Sequence, residues 1–195
     1  MNPNIQRRTM LGAGMAAFAG LATAGTAAAA EGGRTPAPPL PDKKFDDLLA
    51  GVPMDKLGTE LAFEAVVDIA PSQDLGDGPF GGRRIVPIVG GRFKGPRISG
   101  TVEPGGADRQ LIRDDGVRML EATYELRTDD GAVLSVVNNV LIDQPTADQR
   151  YARSFLMVTA PTGPHDWLNR RILVGTLNSL RPARDAVLVR VFVLT

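Results

Sequence analysis

Polar residues set inside apolar, alternating runs are the first candidates for chemistry in this chain. Asp108 and Gln110 share a face of the run Ala107–Arg113. Tyr124 shares a face with Leu120, Ala122 and Leu126, and Asn138 with Leu134, Val136 and Val140. An inward polar group left without a partner costs roughly 1–3 kcal/mol. Two arrangements avoid that cost. One is a closed hydrogen-bond network that holds the fold together; the other is a ligand pocket with a few convergent polar groups. As a reactive set, Asp108 would take a proton, Tyr124 would give one and Asn138 would hold an oxyanion.

Other residues add binding capacity. Arg83 and Arg84 follow Gly81-Gly82, and Arg84 suits a carboxylate or phenolate, with a solvated strand edge as the alternative. The segment Pro164–Asn169 gathers the only His and the only Trp. Trp167 reads as a lid or wall over a cavity mouth, or as a plug closing one end. Asn169 joins Arg84, Gln110 and Trp167 as a ligand-binding candidate, while His165 reads as a solvated loop residue.

Composition removes whole classes of function. The 195 residues carry 22 basic and 22 acidic side chains, so binding nucleic acid by counterion release is not expected. With no Cys there is no disulfide, no thiol nucleophile, no Cys-ligated metal and no lipid anchor on a leader cysteine. One His excludes a multi-His metal site, and the loop acids Asp143, Asp148 and Asp166 lack metal-ligand spacing. No metal and no cofactor is expected. Phosphate-loop, dinucleotide and nucleophile-elbow motifs are absent, and Pro104 spoils the Gly-rich stretch Gly100–Gly105 as a phosphate cradle.

The elements that must position these residues are mostly strands. Leu61, Phe63, Ala65, Val67 and Ile69 alternate with polar residues from Thr59 onward. Arg84–Val89 reads as a short strand broken by Pro87, and Arg92–Val102 as an extended run kinked at Gly95-Pro96. Asp114-Asp115-Gly116 joins Ala107–Arg113 to Val117–Thr128, and Asp129-Asp130-Gly131 joins the latter to Ala132–Ile142; both are hairpin signals. Tyr151–Thr159, Arg171–Leu177 and Ala186–Leu194 complete the set. The expected fold is all-β: a closed antiparallel β-barrel of about 8–10 strands over 59–195, with one short N-terminal helix at Lys43–Ala50. Too few aromatics are present for the girdles of an outer-membrane barrel.

Two segments precede the barrel. Residues 1–30 have Arg7-Arg8, a weakly apolar middle and a closing Ala27-Ala28-Ala29-Ala30, the make-up of an export signal. The paired arginines resemble a twin-arginine signal, although Gln6 and Gly12 stand where that motif usually has Ser or Thr and Lys. The protein is therefore expected in the periplasm or secreted, touching a membrane only through an uncleaved signal. Loss of Arg7 and Arg8 with the leader would leave the rest acidic by two charges. Residues 31–58 read as a Pro-rich tether followed by the short helix.

Four blocks carry a family resemblance. They are Arg83–Pro96 (RRIVPIVGGRFKGP), Pro104–Gln110 (PGGADRQ), Tyr124 through Thr128-Asp129-Asp130-Gly131, and Trp167-Leu168-Asn169 followed by Val174-Gly175. Over roughly Leu61–Thr195 the chain resembles the domain of unknown function three-two-three-seven, a family of small bacterial and fungal proteins. The resemblance implies a closed antiparallel barrel with a central cavity and no settled activity. It also marks two departures: Arg109 where an aromatic residue is common, and Asn139-Val140 in place of a basic-Gly pair. Both are expected to alter the pocket.

Three functions compete. The leading one is binding of a small, partly aromatic or acidic molecule in the barrel. The second is a cofactor-free isomerase, lyase or hydratase using Asp108 and Tyr124 as base and acid. The third is a structural envelope protein with a filled barrel. A cavity of about 300 Å³ or more is the size expected for the first two.

Overall fold

The computed structural model describes residues 36–195; the export-signal reading and the start of the tether lie outside them. Helix α1 spans Asp42–Ala50, close to the expected range. None of its residues is buried, and Phe45, Leu48 and Leu49 are all exposed. Lys43 and Asp47, four apart, form an exposed ion pair along it. No helix of the described residues is long and apolar enough to cross a membrane.

The second unit, Met54–Thr195, holds ten strands. In chain order they are β1 (Thr59–Ile69), β2 (Gln73–Gly78), β3 (Gly81–Lys94), β4 (Ser99–Val102), β5 (Ala107–Ile112), β6 (Arg118–Thr128), β7 (Val133–Asp143), β8 (Tyr151–Thr159), β9 (Leu173–Ser179) and β10 (Ala186–Leu194). All pairings are antiparallel. The sheet runs β1-β10-β9-β8-β7-β6, then β4 and β5 end to end, then β3, which returns to β1 and closes the barrel. That makes eight positions around the wall, with β4 and β5 sharing one and β2 continuing past β1 along β3. Eight strands enclose an interior that side chains can fill or that can hold one small ligand.

Alternation sends the apolar residues of β6, β7 and β8 inward, as their buried–exposed patterns record. The Asp-Asp-Gly loops close hairpins as expected, with Arg113 N–H bonded to Val117 O and Thr128 N–H to Ala132 O at 2.9 Å each. Elsewhere the alternation slips. A bulge between Leu61 and Phe63 turns Leu61 outward and buries Ala62 beside Phe63. Gly81–Lys94 is one long strand, and Pro87 sits inside it opposite Ala107. The β1–β3 register shifts beside it, between Asp68 and Ile69, and Pro87 O accepts from Ala70 N–H at 3.0 Å.

One end of the barrel is filled. Phe63 and Phe93 meet edge-on at 5.6 Å, and Leu126, Leu134, Leu173 and Val191 pack with them, all fully buried. A 3-10 turn, Asp166–Arg170, follows β8 and buries Leu168 in the same cluster. Each such side chain contributes about 1.5–3 kcal/mol relative to exposure. The other end is only partly filled, and the polar candidates lie there.

Candidate functional site

Val86, Asp108, Ala122, Asn138 and Leu156 stand opposite one another on neighbouring strands, forming one row of the inner wall. Adjacent strands lie about 4.8 Å apart, so two strand spacings separate Asp108 from Asn138, with only the methyl of Ala122 between them. Tyr124, two residues further along β6, belongs to the apolar cluster of the filled end and also lines the space above it. Gly106 permits this approach: a Cβ there would lie 2.6 Å from Tyr124 Cβ and 2.7 Å from Thr123 O.

The space so enclosed is a cavity of about 150 Å³. Asp108, Gln110, Tyr124, Asn138 and Arg84 line it together with Val67, Val187 and Val189 and, towards the rim, Ile69 and Leu177. The barrel is thus hollow at one end, at half the volume expected, because the Val and Ile side chains of β1, β3 and β10 narrow it.

Its polar groups are incompletely satisfied. Arg84 Nε donates to Gln110 Oε1 at 2.7 Å, and Gln110 Nε2 donates in turn to Asp108 Oδ2. Asp108 Oδ1, the Tyr124 hydroxyl and Asn138 Oδ1 are buried with no partner among the described residues. Tyr124 and Asn138 are each only 1% exposed. Burial is the largest influence on Asp108 and raises its carboxyl above the ordinary range; the Gln110 hydrogen bond and the Arg84 charge pull it back only in part. Burial also pushes the Tyr124 phenol well up, so it stays a neutral O–H donor at any physiological pH.

The structure therefore brings together five of the seven residues singled out from the sequence. The other two are elsewhere. Asn169 is a structural cap: its Oδ1 accepts from Ala160 N–H at 2.8 Å and its Nδ2 donates to Ala160 O at 2.9 Å, extending the end of β8. Trp167 packs partly buried against the filled end, with the Arg97 guanidinium 4.3 Å from its ring centre. Trp167 does not line the cavity; it sits in the 3-10 turn that follows the end of β8 on the filled side. His165 is buried rather than solvated, and its Nε2–H donates to Asp130 at 2.9 Å. Hydrogen bonds from Thr128 first and His165 second hold the Asp130 carboxyl below its usual range.

The two departures from the family pattern mostly miss the cavity. Arg109 and Asn139 are exposed on the outer wall, and only Val140 points inward to the lining. Sequence reasoning missed Ser72 and Arg181, which line the cavity from loops where no periodicity marks them. It also missed Ser154, an inward residue of β8 whose hydroxyl is buried without a partner. Among the described residues no three His, Asp or Glu side chains gather where a metal ion could be held.

Comparison with known proteins places this geometry. A protein of the UPF0311 group from Rhodopseudomonas palustris is 46% identical over 82 residues, 42% of this chain and 54% of its own length. Another from Clostridium acetobutylicum is 39% identical over 85 residues, 41% of this chain and again 54% of the relative. These matched stretches span about half the length of the relatives. Structural similarity reaches further. A conserved protein of unknown function from R. palustris superposes with a TM-score of 0.68 at 32% identity, covering 73% of this chain and 100% of that one. A β-barrel-like protein from Acinetobacter baumannii gives 0.67 at 25% identity, covering 73% and 99%. The family model described as "Protein of unknown function (DUF3237)" matches residues 57–194, nearly the whole barrel, and the chain belongs to that family.

Proposed function

We propose that this protein binds a small, partly aromatic or acidic molecule in the open end of its barrel. One observation carries the reading: three buried polar atoms without partners, on Asp108, Tyr124 and Asn138, line one cavity. Leaving such groups unpaired costs roughly 1–3 kcal/mol each, and a bound molecule with hydroxyl or carbonyl groups would recover that cost. The volume sets the scale. A cavity of about 150 Å³ holds one benzene-sized ring, so the ligand presents a single ring or an aliphatic group of that size to it. Residues 1–30 read as an export signal and would send the protein to the periplasm or the exterior.

Titrating the full-length chain with phenol by calorimetry tests this. One site per chain is expected, weakened at least roughly tenfold in Tyr124→Phe or in Ala122→Leu, which fills the gap. Absence of binding, or equal binding by both variants, would reject the reading.

A second reading has its own support. Gln110 engages one oxygen of Asp108 and leaves the other free, while Tyr124 keeps its proton. That division of labour suits a base and an acid in a cofactor-free isomerase, lyase or hydratase. Turnover of an unsaturated phenolic acid, abolished in a folded Asp108→Asn variant, would favour it; binding without turnover would favour the carrier.

A further inference from the structure

Arg84 lines the cavity, Arg118 stands one row further out on the same inner face, and among the described residues neither forms an ion pair. Inner-face positions on β3 run through Arg84, Val86 and Ile88, and on β6 through Arg118, Leu120, Ala122 and Tyr124. Arg84 lies opposite Gln110, and Arg118 lies opposite Ile112 on one side and Ile142 on the other, one row nearer the rim. Both arginines are partly buried.

Elsewhere on the barrel Arg127, Arg181, Arg184 and Arg190 each hold a carboxylate. Among the described residues Arg84 and Arg118 hold none; Arg109, Arg150 and Arg153 hold none either, but Arg84 and Arg118 lie on the inner face and are partly buried. Arg84 spends only its Nε on Gln110, which leaves the two terminal nitrogens of its fork without a protein acceptor. Among the described residues the Arg118 guanidinium has no hydrogen-bond partner. Loss of hydration holds its guanidinium below the usual range, and the neighbouring charges of Arg84 and Arg150 add to that. Asp74, Asp77 and Asp114 border an exposed groove outside Arg84 but form no ion pair with it. Two partly desolvated cations crowded together cost free energy unless an anion joins them, and the planar fork of Arg suits a carboxylate.

The deep end has the opposite preference. Asp108 is an acid in a dry setting, and its free oxygen repels a second carboxylate while accepting or sharing a hydroxyl proton. A ligand that satisfies both ends has an anionic group at the rim, one ring in the middle and a neutral hydroxyl at the bottom. We propose that the cavity takes a one-ring phenolic carboxylate, held ring-inward with its carboxylate on Arg84 and Arg118. The proposal rests on the cavity-binding reading above and adds the chemical class and the orientation.

Matched probes separate the two. The full-length chain is titrated with 4-hydroxybenzoate and with its neutral counterpart 4-hydroxybenzyl alcohol, at low salt and neutral pH. The acid is expected to bind at least roughly tenfold tighter. In Arg118→Gln that advantage should fall to about threefold or less while affinity for the alcohol stays the same. Arg118 is the residue to change because Arg84 also anchors Gln110. If the alcohol binds and the acid binds no better, the carboxylate inference fails while the cavity reading stands. If the advantage survives in Arg118→Gln, the rim assignment is overturned. If neither probe binds, both proposals fall. The wild-type comparison needs no variant, so a misfolded Arg118→Gln leaves it decisive.

Discussion

Asp108 on β5 and Asn138 on β7 stand on either side of Ala122 in a single row of the barrel wall, each with a buried oxygen that no protein group satisfies. The small residue between them makes the hollow. A larger side chain at that position would fill it and pack against both, as Leu156 and Val86 do on the flanks of the row.

Ala122→Leu should therefore remove binding of any one-ring probe by at least roughly tenfold. Its effect on stability should stay within about 1 kcal/mol, because the added atoms enter space already empty instead of displacing neighbours. Calorimetric titration and denaturant melts of the same preparation check both halves.

Asp108→Asn should change how stability depends on pH. The folded carboxyl titrates above its unfolded value because burial disfavours its charge. The native state therefore binds the proton more tightly, and wild-type stability falls as pH rises from the unfolded value of about 3.9 through the raised folded value. The Asn variant lacks that loss. It should be more stable than wild type at pH 7, with the difference shrinking towards pH 3, as denaturant melts across that range would record.

Damage to the filled end should leave the cavity alone. Asn169→Ala removes two hydrogen bonds to Ala160 and should cost about 2 kcal/mol. Leu168→Ala empties a fully buried position and should cost about 2–5 kcal/mol. Neither should alter probe affinity by more than about twofold while the protein remains folded. A large loss of binding in a folded Asn169→Ala protein would return that residue to the site.

The sequence revealed the site where strands are long and regular. Tyr124 and Asn138 lie on 11-residue strands whose alternation runs unbroken, so counting by twos placed them inward. Leu61 defeated the same count because one bulged residue reverses every side chain before it. β2 was illegible because its sequence, QDLGDG, has no apolar face; it exists through pairing with β3. Asn169 and Trp167 follow a loop, and no periodicity says which end of a barrel a loop closes. The same count by twos reaches Arg118, which shares a face with Leu120 and Ala122, but a charge near a strand end reads as solvent-facing.

A crystal structure of the full-length protein grown with 4-hydroxybenzyl alcohol tests the binding claim most directly. The ring is expected between Ala122 and Val189, with its phenolic oxygen within hydrogen-bond distance of Asp108, Tyr124 or Asn138. A cavity that stays free of the ring, with the probe absent or confined to the outer wall, would contradict it.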